Sequence, residues 1–244
     1  MDPKNKTPSF SYMGGKARLR SWLLEKFPTD GRRYSEFFAG RGNVFFLARK
    51  KLNFKEWHLN DIDISFFKAL LEADISLLPE KVEKVDFLYW KEEKSSLAKI
   101  LEPRITFAGK GYKFGYNGSS GTHVGYNGSL YRILCAEAKR LLEGVSLTET
   151  CWADLDVSGY TVDDFVYLDP PYFGTVAQYP NIDHQALVLF LNSAQFRWAL
   201  SGYDVVEYST LKFKNRYEKV RNSEIKGSNS GQKEDVKEIL WTNY

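Results

Sequence analysis

The tetrapeptide Asp169-Pro170-Pro171-Tyr172 directly follows the apolar run Phe165–Leu168. A short apolar run bounded by turn residues reads as a buried strand. The tetrapeptide is then delivered to a strand's carboxyl end, where open α/β sheets place their ligands. The two prolines lack N–H donors and stiffen the chain. The Asp169 carboxylate and the Pro170 carbonyl are left side by side as acceptors. Two such acceptors can hold both hydrogens of an exocyclic amine. That draws the nitrogen toward tetrahedral geometry and localises its lone pair for attack. Tyr172 supplies a ring face on which a planar base can stack. A plain Asp-Pro turn closing a strand has the same local sequence, so the assignment rests on what accompanies it.

Two further segments accompany it. Glu36-Phe37-Phe38-Ala39-Gly40-Arg41-Gly42-Asn43 places two glycines after a short strand. Glycine allows a tight turn and a close backbone approach to a ligand. A helix beginning after Gly42 would direct free N–H groups at that ligand. The segment has no third glycine and no Lys-Ser/Thr pair, so neither a dinucleotide fingerprint nor a phosphate-binding P-loop fits. A ligand carrying a nucleoside and a carboxylate fits better. Asp61, in Asn60-Asp61-Ile62-Asp63, ends the next strand, where an acid can grip ribose hydroxyls; a surface-turn aspartate is the alternative. Tyr12-Met13-Gly14-Gly15-Lys16 precedes the first helix and joins a flexible backbone to one cation. Alone it is an ordinary loop.

In chain order these segments resemble the Dam-type DNA adenine methyltransferases, the alpha group of amino-methyltransferases. The resemblance runs from about Ser11 to the C-terminus and includes Thr175–Tyr179 and the region Lys226–Glu238. It implies an α/β fold: a Rossmann-like, mainly parallel sheet of the S-adenosylmethionine-dependent methyltransferases, with an antiparallel edge hairpin. Residues 1–63 and 145–244 would form the catalytic domain. Residues 64–144 would be an inserted helical and loop domain for target recognition. The implied cofactor is S-adenosylmethionine and the implied partner is double-stranded DNA. The implied reaction is direct in-line methyl transfer to the N6 amine of a flipped-out adenine. Methylation of N4 of cytosine uses the same amine chemistry, and a non-catalytic nucleic-acid-binding protein on the same fold is the alternative outside enzymes. A restriction enzyme of matching specificity is a further partner such methyltransferases admit.

The resemblance also implies roles. Tyr12, Gly14 and Lys16 would lie at the methionine end of the cofactor, Lys16 pairing with its carboxylate. Phe38, Ala39, Gly40, Gly42 and Asn43 would line the cofactor, Asp61 would take the ribose hydroxyls, and Ile62 would pack on the adenine ring. Asp154 and Leu155 match an acid and its neighbour near the cofactor. Asp169, Pro170, Pro171 and Tyr172 would hold the target adenine, with Asp169 bordering the cofactor, and Tyr179 would be a second pocket aromatic. Residues 106–132 would read DNA. Lys110, Lys113 and Arg132 would sit on phosphates, while Asn117 and Asn127 would reach base edges, since asparagine bonds adenine bidentately. For each asparagine, simply making a turn is the alternative. A doubled Gly-Tyr-Asn-Gly-Ser replaces the stretch carried by relatives that read GATC, which points away from that recognition sequence.

These residues need a scaffold, and hydrophobic periodicity supplies one. Helices are predicted over 16–27, 43–51, 131–142 and 184–192, with a long amphipathic helical stretch over 64–101. Strands are predicted over 34–38, 56–59, 146–148, 165–168, 196–201, 217–221 and 236–242. Gly115–Ser119 recurs as Gly125–Ser129; its Asn-Gly pairs predict two exposed hairpin turns. Alternating strands and helices predict a mainly parallel sheet.

The chain's 244 residues suit one catalytic domain with a small insert, and 43 % hydrophobic residues can build its core. No apolar stretch reaches membrane-spanning length, and Met1–Pro8 is polar and lacks the apolar core expected of a signal peptide. Cys135 and Cys151 form neither a disulfide framework nor a metal-ligand pattern; a reducing cytoplasm and no metal are expected. Net charge is only +3, but Arg104–Arg140 holds six basic residues against one acid, and Lys212–Lys237 holds eight against four. Two such segments could form a phosphate-binding face; scattered solvated lysines are the alternative. His58, His123 and His184 have no evident catalytic placement.

Overall fold

In the computed structural model, residues 6–12, 14–106, 126–172, 182–222 and 235–244 are described. Seven strands form one sheet: β1 (Asp30–Glu36), β2 (Asn53–Asp61), β3 (Ser146–Glu149), β4 (Phe165–Leu168), β5 (Arg197–Gly202), β6 (Asn215–Asn222) and β7 (Asp235–Thr242). Their order is β3-β2-β1-β4-β5-β7-β6. The first five pair in parallel, and β7 runs antiparallel between β5 and β6. This is the expected mainly parallel α/β sheet with an antiparallel edge hairpin. The order reverses between β1 and β4, which makes the space beyond their carboxyl ends the switch point.

Period-two alternation sorts the strand residues between two cores. Phe165, Tyr167, Ala199 and Leu240 join one apolar cluster with Tyr34. Val166, Leu168, Trp198, Leu200, Ile239 and Trp241 join the other. All four residues of β4 are buried, as a central strand covered on both faces requires. The first face carries α1 (Arg20–Leu24), α2 (Phe45–Lys51), α3 (Ser65–Glu72), α5 (Ser96–Ile105) and α6 (Gly128–Leu141), with α4 (Lys84–Glu92) beside α5. The other face carries α7 (His184–Ser193), through Leu187, Val188 and Leu191. Phe66, Phe67, Leu70, Leu101 and Tyr131 share a cluster with Phe10, Phe46 and Leu59, so the helices of 65–141 and the sheet bury one continuous core.

Three expectations change. The first helix is confined to Arg20–Leu24, with turns on either side. β1 spans 30–36 rather than 34–38, because Phe37 and Phe38 already bend toward Gly40. The second Gly-Tyr-Asn-Gly-Ser copy is not a hairpin turn. Asn127 is the N-cap of α6, its side chain accepting the Leu130 N–H at 2.8 Å. Gly128 opens the helix against Pro79, whose carbonyl oxygen would lie 2.2 Å from any added Cβ. The first copy lies outside the described residues, as does the Gly/Ser/Asn loop 226–231.

Candidate active site

Beyond Glu36 the chain stays tied to its neighbours for three more residues. Phe37 N–H donates to Tyr167 O at 3.2 Å, and Ala39 N–H donates to Asn60 O at 2.9 Å. It then turns through Gly40 and Gly42, with φ +54° and +68°. These left-handed conformations favour glycine, and a Cβ at Gly40 would lie 2.8 Å from the Tyr12 ring. Gly40 N–H donates to Asp61 Oδ2 at 2.8 Å, while Asn60 Nδ2 donates to the carbonyls of Phe37 and Thr150 at 3.1 Å each. The loops after β1, β2 and β3 are thus locked together by the end of β2. Burial raises the Asp61 carboxyl above its ordinary range, opposed by the Gly40 N–H. Ile62, the next residue, is 50 % exposed, an open apolar side chain beside a carboxylate. Phe38 is half-buried and Ala39 buried, and Gly14, at φ +80°, has open space on its Cβ side. A turn bare of side chains, an acid at a strand end and an open apolar residue fit a nucleoside cofactor such as S-adenosylmethionine.

A polar network braces this hollow from beneath. His58 Nδ1 meets Tyr160 Oη at 3.1 Å and His58 Nε2 meets Thr148 Oγ1 at 2.8 Å. Thr148 Oγ1 donates to Asn60 Oδ1 at 2.8 Å, and Tyr160 Oη meets Ser35 Oγ at 2.9 Å. Burial, with Arg33 nearby, pushes His58 down to about 4. His58 is therefore a neutral bracing residue at physiological pH.

The second half of the site follows from strand parity. Tyr34 and Glu36, Tyr167 and Asp169, Ala199 and Ser201, and Leu240 and Glu238 are two apart on four strands. Each polar member therefore lies on the face of its apolar partner, and those partners belong to one cluster. β7 runs antiparallel, so its early residue Glu238 stands at the edge that β1, β4 and β5 reach with their last residues. Lys16 enters this row from the N-terminal segment, 4 % exposed. Its ammonium meets Asp169 Oδ1 at 2.7 Å, Gly14 O at 3.0 Å and Glu238 Oε1 at 3.4 Å. Ser201 Oγ donates to the same Asp169 oxygen at 3.0 Å. Burial raises the Asp169 carboxyl, Lys16 lowers it and Glu238 raises it. Burial also lifts Glu36 to about 8, although Tyr34 Oη donates to it at 2.7 Å. Tyr172 Oη donates to Glu238, Lys16 lies over the Tyr172 ring 4.5 Å from its centroid, and the Tyr203 ring packs edgewise at 4.4 Å.

Four of the expected site residues have partners within the chain. The Lys16 ammonium is held by Asp169, Gly14 O and Glu238. Asn43, buried, accepts the Phe10 N–H at 2.9 Å and donates to Phe10 O at 2.8 Å, pinning the N-terminal segment to the glycine turn. Asn127 spends its oxygen on the helix cap. Arg132 is ion-paired with Glu80 and donates to Leu78 O, which ties α6 to the chain before α4. Asp154 is exposed at the end of a single 3-10 turn, Trp152–Asp154, whose Trp152 packs on Phe38; Leu155 packs with the second core. Tyr179, Lys110, Lys113 and Asn117 lie outside the described residues. Glu238, Ser201 and Glu36 were not singled out in the sequence. Their signal was a polar residue breaking an apolar alternation, visible only once strand parity is known.

Among the described residues no group of three or more His, Cys, Asp or Glu is arranged to hold a metal ion. No helix among them is long and apolar enough to cross a membrane.

Fold and site define a class: a Rossmann-like α/β protein with a lysine-paired, partly buried Asp-Pro-Pro-Tyr at its switch point. A particular family then matches. Residues 12–107 fit the model of the D12 class N6 adenine-specific DNA methyltransferases. The chain is 24 % identical to the modification methylase StsI of Streptococcus sanguinis over 276 aligned residues, covering 96 % of this chain and 42 % of that protein. It thus spans about two-fifths of the length of the curated relative it matches. Among solved structures, the human METTL16 N-terminal domain in complex with SAH superposes with a TM-score of 0.37 at 10 % identity, covering 93 % of this chain and 68 % of the other. A precorrin-6y C5,15-methyltransferase of Geobacter metallireducens superposes with a TM-score of 0.39 at 8 % identity, covering 93 % and 87 %.

Proposed function

We propose that this chain is an S-adenosylmethionine-dependent, site-specific DNA methyltransferase that modifies the N6 amine of adenine. The observation that carries the reading is Asp169, held by Lys16 and Ser201 at the carboxyl end of β4, directly before the Pro170 carbonyl. The match of residues 12–107 supports it. When bound, S-adenosylmethionine supplies an electrophilic methyl group on a sulfonium. Tyr12, Gly14, Phe38, Ala39, Gly40, Gly42, Asp61 and Ile62 would hold it, with Asp154 and Leu155 at the margin. An adenine must leave the duplex stack to reach a pocket at the sheet edge. Asp169 and the Pro170 carbonyl then accept the two N6 hydrogens and leave the lone pair free to react. Lys16 favours the ionised form of Asp169, which accepts rather than donates. Tyr172 would stack on the base. Catalysis rests on positioning and fixed dipoles.

Segment 64–144 would carry target recognition, with Lys110, Lys113 and Asn117 as its foremost DNA contacts, since Asn127 and Arg132 have partners within the chain. The match to a modification methylase supports a place in a restriction–modification pair. The test is to express the chain in cells lacking adenine methylation and to sequence their DNA with modified bases mapped by motif. N6-methyladenine at one recurrent motif is expected. N4-methylcytosine instead would overturn the substrate assignment. Asp169→Ala is expected to abolish transfer in a folded protein. Retention of more than about a tenth of wild-type turnover, a loss under about 1.4 kcal/mol, would remove Asp169 from its role.

A further inference from the structure

We propose that Glu238, on the antiparallel edge strand, is a positioning residue for the amine-binding tetrapeptide. The inference rests on the function proposed above and deepens it. Glu238 is fully buried at the start of an apolar run, Ile239-Leu240-Trp241. A carboxyl group in such surroundings needs polar partners. Two of its partners come from the motifs that flank the switch point: the Tyr172 hydroxyl, from which it accepts, and the Lys16 ammonium at 3.4 Å. Neither contact is made within its own hairpin.

The geometry gives Glu238 two duties. It fixes the Tyr172 ring by its far end, while Tyr203 packs edgewise at 4.4 Å and Lys16 covers one face. It also sets the position of Lys16, which in turn orients Asp169 at 2.7 Å. The neighbouring strand β5 adds Ser201, which donates to Asp169, and Ser201 pairs in register with Leu240. The edge pair β5–β7 is therefore the rear wall of the amine site, and Glu238 reaches the reacting groups through Tyr172 and Lys16.

The test uses the purified full chain, labelled cofactor, and genomic DNA from a strain lacking adenine methylation as acceptor. Four variants are compared with wild type: E238A, E238Q, Y172F and E238A/Y172F. E238A is expected to lower kcat at least thirtyfold while cofactor Kd, by calorimetry, stays within threefold. The double variant is expected to lose no more than threefold beyond E238A, because both changes cut the same contact. E238Q, near-isosteric and able to accept the Tyr172 hydroxyl, is expected to recover at least a third of the loss and to shift the acid limb of the kcat–pH profile. Multiplicative losses in the double variant, or E238A within threefold of wild-type kcat, overturn the inference alone. If E238A fails to fold, E238Q with unchanged kcat and pH profile overturns it. A wild-type chain that puts no methyl group on adenine overturns the functional reading, and this inference with it.

Discussion

Lys16 Nζ lies 2.7 Å from Asp169 Oδ1, joining the segment before the first helix to the loop after the fourth strand. Lys16, helped by the Ser201 hydroxyl, opposes the burial and the neighbouring Glu238 that push Asp169 toward its neutral form. Lys16→Ala should therefore raise the Asp169 pKa. The acid limb of the kcat–pH profile should move to higher pH, and turnover near neutrality should fall at least about tenfold, equivalent to about 1.4 kcal/mol. Cofactor affinity should change by less than about threefold, or roughly 0.7 kcal/mol. A large loss of cofactor affinity with an unmoved pH profile would return Lys16 to the cofactor.

Asp61 tests the other half of the site. Its Oδ2 accepts the Gly40 N–H, and burial makes its remaining acceptor capacity valuable to a ligand hydroxyl. Asp61→Ala should weaken S-adenosylmethionine binding by roughly 1.5–3 kcal/mol, the value of a hydrogen bond to a charged group. Asp61→Asn can keep an acceptor for Gly40 and should lose less. Equal affinities in wild type and both variants, by titration calorimetry, would move the ribose site elsewhere.

Much of this arrangement was legible in the sequence. β4 appears at its observed limits because four apolar residues ending in Asp-Pro-Pro leave little freedom of register. Gly40, Gly42 and Asp61 could be located because strand ends with glycine or acid have few alternative uses. The pairing of Lys16 with Asp169 could not, because it spans 153 residues and depends on strand order. The second Asn-Gly pair misled, since an asparagine before glycine suits a hairpin and a helix cap equally. In the fold the cap is made, with Asn127 accepting the Leu130 N–H and Gly128 packed against the Pro79 backbone.

His58 ties acid stability to the bracing network. Its pKa falls from 6.5 to about 4 on folding, so the unfolded chain binds the proton more tightly. The stabilisation is complete above the unfolded value and is lost as pH falls from 6.5 toward 4. At roughly 1.4 kcal/mol per pH unit between the two values, the full loss is roughly 3 kcal/mol. Melting temperatures of wild type and His58→Asn should converge as pH falls through this window. Parallel curves would mean that His58 is not held neutral.

Glu36 works in the opposite direction. Burial lifts its pKa to about 8, above the ordinary 4.5. Its stabilising neutral form is fully present below the ordinary value and is lost as pH rises through 8. Glu36→Gln keeps an acceptor for the Tyr34 hydroxyl and carries no charge to desolvate. The variant should gain stability over wild type progressively from about pH 4.5 to 8 and hold that gain above it. Thermal unfolding at a series of pH values checks this, and a constant difference would show that Glu36 is ionised throughout.

Asn127 separates a structural role from base reading. Its side chain accepts the Leu130 N–H at 2.8 Å and so satisfies a donor at the start of α6. Loss of such a cap costs about 1 kcal/mol. Asn127→Ala should lower stability by that amount in chemical denaturation, while Asn127→Ser or Asn127→Asp, which also cap helices well, should restore most of it. A reader of adenine edges would behave differently, because serine and aspartate do not reproduce the bidentate amide contact. The methylated motif should therefore be identical for wild type and all three variants when DNA from expressing cells is sequenced. A motif relaxed at one position in Asn127→Ala, and not recovered by serine, would put this residue on the DNA after all. An unchanged motif would confine sequence reading to residues other than Asn127, with Asn117 the first to substitute.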